Sequence, residues 1–276
     1  MTDEARTGAA GLPETQLASA TLSIDLKVLQ DNWRLLAGQC SRAECAATIK
    51  CNGYGLGLEP VARALWQAGC RTYFVALPLE AVALREVLPG AVIYVFDGVL
   101  DDAAAAYVTA GIRPLLISLE DILAWRDACR AAGRPLKAGL HIDTGINRLG
   151  LSASDIETLN ADPALLSEMS ISLIVSHLAN ASVPGSPENR RQLDAFNTLR
   201  AALPAAPASI ANSPGSVLGE AFCLDMIRPG IALFGGNPFE GRPNPMSAVA
   251  HIYAPILQVR TIAAGESVGY GGSWTA

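Results

Sequence analysis

The sequence predicts an α/β protein, a (β/α)8 TIM-like barrel followed by the start of a strand-rich C-terminal β domain. Three observations predict it. From about residue 20, short apolar runs alternate with amphipathic helical stretches. Eight such runs precede residue 235, matching the strand count of the barrel. The residues able to do chemistry gather at the ends of those runs, where barrel enzymes keep their active sites.

The strand runs are 45–50 (CAATIK), 73–77 (YFVAL), 91–96 (AVIYVF), 113–117 (RPLLI), 138–143 (AGLHID), 171–176 (ISLIVS), 208–212 (ASIAN) and 228–233 (RPGIAL). All are short and apolar, as parallel strands covered on both faces must be. Helical periodicity is clear in 58–68, 78–87, 101–110, 119–132 and 187–202. Asp101 and Ser118 are the predicted N-caps of two of them. A doubly wound open sheet is the competing architecture. It is disfavoured because the first turn, CNGYGLG, lacks the dinucleotide glycine spacing. Residues 21–26 (TLSIDL) form a strand candidate outside the barrel. After about Pro245 a longer strand is predicted at 252–260, then a turn at Gly265-Glu266. The expected division is a flexible N-terminus over 1–20, a barrel over 21–245 and an incomplete β domain over 246–276.

The chain is half apolar with a mean hydropathy of +0.28, which supports a large core and argues against disorder. A net charge of −6 without a basic run excludes a nucleic-acid partner. No apolar stretch is long enough for a membrane helix, and the polar N-terminus lacks a secretory pattern. The six cysteines form no C-x-x-C pair, so reduced, mostly buried thiols and a cytoplasmic location are expected. No metal site is expected, since none of the three histidines is spaced with cysteine like a ligand set.

Lys50 is the sharpest feature of the rim. It is one of only three lysines and closes the run CAATI. A poorly hydrated amine suits Schiff-base chemistry, whereas the ordinary alternative is a strand-end lysine reaching out to water. The turns ANSPGS and RPGI, with Ser213 and Gly230, offer hydroxyl and backbone donors where barrels commonly bind phosphate. Arg148 can fork onto a carboxylate or pair with Asp143. His177 can serve the site or sit in the core. Tyr270 lies between glycines, either functional or simply packed in a turn.

Six segments in order, KCNGYGLG, HIDTGINRLG, SHLANAS, IANSPGS, DMIRPGIALFG and SVGYGGSWTA, resemble the alanine racemase family. The resemblance runs from about Thr21 to Ala276. It implies pyridoxal 5'-phosphate on Lys50 as a Schiff base, and alanine as substrate. It implies Lys50 and Tyr270 as the two acid/base groups on opposite faces of the α-carbon. Tyr54, Ser213, Gly230 and Ile231 would hold the phosphate with Asn212 beside them, and Arg228 would face the pyridine nitrogen. His177 would lie between Arg228 and the tyrosine, and Arg148 would position the substrate carboxylate. The family works as a head-to-tail homodimer, with the tyrosine contributed to the partner's site. D-alanine would serve peptidoglycan synthesis, or the enzyme would serve alanine catabolism.

Three departures follow from the same resemblance. His141 stands where the family usually carries a carbamylated lysine that braces the arginine. Leu56 stands where a histidine is common. The second domain would ordinarily continue for about another hundred residues, so a fragment or truncated chain is expected, with its activity in question. The other readings are a different amino-acid racemase or a decarboxylase on the same barrel, a non-catalytic cofactor-binding barrel, and an inactive fragment. Tyr270 and Arg228 favour the racemase, because a decarboxylase-like site would set an acid against the pyridine nitrogen.

Overall fold

Short parallel strands apolar on both faces need cover on each side, and a ring closed inside a coat of helices is one way to provide it; the computed structural model of the chain shows that ring. It describes residues 20–100 and 103–276. These fall into two compact units, 24–249 and a second one containing 250–276.

In the larger unit, helix α1 (Leu26–Gln39) begins at Asp25, whose carboxylate accepts from the amides of Lys27 and Val28. After strand β1 (Thr21–Ile24), the strands are β2 (Glu44–Cys45), β3 (Ala47–Thr48), β4 (Thr72–Val75), β5 (Val92–Val95), β6 (Arg113–Leu116), β7 (Lys137–His141), β8 (Ser170–Val175), β9 (Ala208–Ser209) and β10 (Met226–Ile227). β3 to β9 form one parallel sheet in sequence order. β10 pairs in parallel with β2, the opening piece of the first barrel strand. On its other side, Asp225 N donates to Ala208 O and Arg228 N to Ala211 O, at 3.1 and 2.9 Å. The ring therefore closes.

Alternate residues explain the two-sided burial. Phe74, Tyr94, Leu115, Leu173 and Met226 fill the barrel interior. Their neighbours Tyr73, Val75, Ile93, Leu116 and Ile174 pack outward with the helices. Helices α2 (Leu58–Ala68), α3 (Pro78–Val87) and α5 (Leu119–Ala132) have the predicted limits. Ser118 caps α5 as predicted, accepting from Asp121 N at 3.1 Å. Helix α4 is Ala104–Ala110, and the predicted cap Asp101 lies outside the described residues, as do residues 1–19 of the predicted N-terminal segment.

Three expectations need correction. The eighth strand is Met226–Ile227, not 228–233: Pro229 has no amide to donate and Gly230 bends the chain into a 3-10 turn, Ile231–Phe234. In the second unit, the long strand of 252–260 is reduced to Ala250–Tyr253, which pairs with Thr21–Ile24. There the predicted turn is present, with Glu266 N donating to Ala263 O. Finally, the thiols are not all reduced. Cys40 and Cys223, 183 residues apart and with Cα atoms 5.7 Å from one another, form a disulfide. Cys45, Cys51, Cys70 and Cys129 remain free. Spacing in sequence carries no sign of this pair, because the fold alone brings the end of α1 beside the segment feeding β10.

The disulfide yields a prediction. A cross-link over so long a loop stabilises by up to about 5 kcal/mol in the chain-entropy view. Thiol titration of the unfolded chain should find four thiols without reductant and six with it. The urea midpoint should fall on reduction, and Cys40→Ser should reproduce the fall without reductant.

Candidate active site

The first barrel strand ends against the last. Thr48 N donates to Pro229 O at 2.8 Å, and the Thr48 hydroxyl donates to Arg228 O at 3.2 Å. Ile49 N then donates to Phe74 O, and Lys50 leaves the sheet. The next four residues are left-handed: Cys51, Asn52, Gly53 and Tyr54 have φ of 55°, 55°, 63° and 56°. Three of them carry a Cβ, so the turn is strained. Gly53 is required for a second reason, since a Cβ there would press on Val61 at 3.2 Å. This turn sets Lys50 and Tyr54 into one cavity of about 420 Å³. Burial pushes the Tyr54 phenol up to about 12, with Cys51 adding to it.

The wall opposite the amine in sequence comes from the last two units. Ser213 is buried, and its hydroxyl oxygen accepts from Gly230 N at 2.9 Å and Ala232 N at 3.2 Å. Having accepted twice, it keeps its own proton for an acceptor in the cavity. Gly230 must be glycine, because a Cβ would occupy the place of the Tyr54 hydroxyl. The Tyr54 ring is held against Phe234, with centroids 4.7 Å apart. Ile231 completes this side.

Arg228 is buried with no carboxylate partner among the described residues. Its Nε donates to Ser209 Oγ at 2.9 Å, its NH2 donates to the Ser176 carbonyl, and the guanidinium lies over Phe74 and Phe96. Burial lowers its pKa to about 10, which leaves it charged at neutral pH. His177 is part-buried beside Asn212. The Asn212 amide orientation is fixed by its oxygen accepting from Gly215 N and its nitrogen donating to Leu178 O, at 3.1 Å each. Its nitrogen also meets His177 Nε2 at 3.3 Å, so that ring nitrogen is the acceptor and the proton resides on Nδ1. Burial, then Arg228 and Arg148, bring the His177 pKa down to about 3.

His141 ends β7 and lines the same cavity. It is buried, and neither ring nitrogen has a hydrogen-bond partner among the described residues. Burial and then Arg228 lower its pKa to about 3. Arg148, also lining the cavity, is exposed. Among the described residues Arg148 and Asp143 form no ion pair; Asp143 Oδ1 accepts from the amides of Gly145, Ile146 and Asn147.

One cavity thus gathers Lys50, Tyr54, Arg148, His177, Asn212, Ser213, Arg228, Gly230 and Ile231. Tyr270 belongs to the second unit, fully exposed in the turn between Ser267–Val268 and Trp274–Thr275. The wall also includes Thr48, Phe96 and Asp97, which sequence reasoning did not single out. Among the described residues Asp97 is the only carboxylate there, and it follows the apolar run 91–96 just as Lys50 follows its own. That position was the available signal. Among the described residues no group of acids, histidines and cysteines is placed to hold a metal ion, and no helix is long and apolar enough to cross a membrane.

Comparison with known proteins gives one consistent result. Residues 24–238 match the family "alanine racemase, N-terminal domain". The chain is 49% identical over 262 residues to an alanine racemase of Methylobacterium nodulans, covering 95% of this chain and 70% of that protein. A catabolic alanine racemase of Mesorhizobium japonicum is 42% identical, with 96% and 70% covered. The crystal structure of the Bartonella henselae alanine racemase, which has covalently bound pyridoxal phosphate, superposes with a TM-score of 0.86 at 40% identity, covering 94% of this chain and 72% of that one.

The two histidines make stability depend on pH. Each has a folded pKa of about 3 against an ordinary 6.5, so the unfolded chain binds protons that the folded one refuses. Their stabilisation is complete above pH 6.5 and is lost as pH falls toward 3, at up to about 1.4 kcal/mol per pH unit for each. Urea unfolding should show stability dropping between pH 7 and 5, and His141→Phe should make that drop shallower.

Proposed function

Since the chain belongs to the alanine racemase family, we propose that it interconverts L- and D-alanine using pyridoxal phosphate held by Lys50. The observation that carries this reading is the pairing, in one cavity, of the Lys50 amine with a cradle of hydroxyls around a glycine that tolerates no side chain. An amine and an anion cradle are what an aldehyde bearing a phosphate requires. The Ser213 hydroxyl, the Tyr54 hydroxyl and the backbone at Gly230 and Ile231 would take the phosphate. Arg228, anchored by Ser209 and Ser176, would present its remaining N–H groups to the ring nitrogen. When bound, the cofactor supplies the electron withdrawal that acidifies the α-carbon of the substrate.

The residues supply the rest. Among the described residues Arg148 has no carboxylate partner, which leaves its guanidinium for the carboxylate of alanine. The neutral His141 provides one donor and one acceptor in the same wall. Inversion needs a proton taken from one face and returned to the other. Lys50 Nζ serves one face and the Tyr270 hydroxyl the other. Tyr270 lies in the separate, exposed unit, in keeping with a homodimer in which it enters the site of the second copy. Asn212 holds His177 as the Nδ1–H tautomer and so fixes what that ring offers its neighbours.

Lys50→Ala should abolish covalently held cofactor, read as visible absorbance, together with racemisation. Tyr270→Phe should keep the cofactor and lose activity in both directions by about a hundredfold or more. Mixing the two inactive variants after subunit exchange should restore about a quarter of the activity, since half the dimers then hold one intact site. No recovery would exclude a shared site, and full activity of Tyr270→Phe in a chiral assay would remove its proton-transfer role.

A further inference from the structure

The left-handed turn after Lys50 needs something to hold it. Three non-glycine residues in that conformation persist only when their surroundings over-determine them. Most of the ties are internal. Gly53 N donates to Ile49 O, Gly55 N to Cys51 O, Gly57 N to Asn52 O, and Leu58 N to Asn52 Oδ1. Among the described residues one hydrogen bond reaches the turn from elsewhere. Asn52 N donates to Glu80 Oε1 at 3.1 Å. The second oxygen, Oε2, accepts from Ala76 N at 2.9 Å and Leu77 N at 3.2 Å.

We propose that Glu80 is a positioning residue for Lys50, its carboxylate bridging the strained turn of Cys51–Tyr54 to the end of β4 so that the amine and the Tyr54 hydroxyl face the same cavity. The proposal rests on the reading of Lys50 as the cofactor lysine. The chemistry suits a carboxylate and no other side chain of that length. Three backbone N–H groups converge on it from two segments, and a carboxylate is acceptor-only at both oxygens. A glutamine could serve one segment, but its NH2 would face the donors of the other. Both oxygens of Glu80 are occupied, so it orients without itself transferring a proton.

The simpler reading is that Glu80 only closes the first turn of α3. The barrel contains an internal control for it. Asp121 occupies the matching place in α5, with Oδ2 accepting from Ile117 N at 2.9 Å and Oδ1 from Val99 N at 3.2 Å. It bridges its own helix start to the preceding strand–helix loop in the same way. That loop carries none of the residues assigned to cofactor or substrate. Loss of either acid should weaken a helix start, and only loss of Glu80 should release Lys50.

The test compares Glu80→Ala, Glu80→Gln and Asp121→Ala in the full chain loaded with pyridoxal phosphate. Glu80→Ala should lose bound cofactor on dilution roughly tenfold faster and lower kcat by tenfold or more, with KM for alanine changed by less than about threefold. Glu80→Gln should fall between it and the unaltered protein. Asp121→Ala should lower the thermal midpoint comparably yet keep cofactor release and kcat within about twofold. If Glu80→Ala behaves like Asp121→Ala, the proposal is wrong. If Glu80→Ala does not fold, an unaltered release rate in Glu80→Gln overturns the proposal equally. Lys50→Ala separates the two layers: visible absorbance surviving in that variant would overturn the Lys50 reading and this one with it, whereas failure of the Glu80 series alone leaves Lys50 in place.

Discussion

The contact between the first and last barrel strands is the constraint on which the site depends. β10 meets β2 through two residue pairs, and the seam continues past them through Ala46 N to Ile227 O and Thr48 N to Pro229 O. Those bonds join segments about as far apart in sequence as the barrel allows. They place Arg228 and Gly230 next to Thr48, and hence next to the turn bearing Lys50 and Tyr54. The disulfide Cys40–Cys223 lies on the same seam, tying the helix before β2 to the short helix before β10. A barrel opened here would keep most of its core yet lose the apposition of amine and cradle. Closure of the sheet and assembly of the site are the same event.

The electrostatics of the cavity follow from which charges have partners. Lys50, Arg148 and Arg228 bring basic groups, and among the described residues Asp97 is the only acid in the wall. A buried arginine without a carboxylate is costly unless other groups satisfy its N–H donors. Here Ser209, the Ser176 carbonyl and two aromatic faces do part of that. The two histidines respond to the same field. Held neutral by burial and by the arginines, they add hydrogen-bonding capacity without further charge. The result is a cavity whose charge favours an anionic ligand.

Much of this was legible in the sequence where local chemistry decides. Helices 58–68, 78–87 and 119–132 have the limits their punctuation implies, with Gly69 and Gly133 in left-handed C-caps, Pro78 at a first turn and Ser118 as a cap. The rim residues were legible because each follows an apolar run. What failed depends on distant contacts. The run RPGIAL is apolar enough for a strand, but Pro229 and Gly230 turn it into the wall of the cavity. The Cys40–Cys223 pair and the role of Glu80 have no local signature, because the partners of each side chain are set by how the ring closes. For Arg148 the sequence left two readings open, and nearness to Asp143 did not decide between them: one oxygen of that carboxylate serves its own loop.

Arg228 bears on why such a site would racemise rather than do something else. A guanidinium has only N–H donors and keeps its charge, whereas a carboxylate would accept a hydrogen bond from the protonated ring nitrogen and stabilise that form. With Arg228 as the proposed neighbour, protonation of that nitrogen would be disfavoured and electron withdrawal from the substrate would be limited. Limited withdrawal favours returning the proton to the α-carbon over moving it elsewhere, which is the partition a racemase needs. The burial of Arg228 reinforces this, because its Nε and NH2 are fixed by Ser209 and Ser176 and the side chain cannot swing away. On this reading, reaction specificity would be set just past the eighth strand, by a residue other than the two that move the proton.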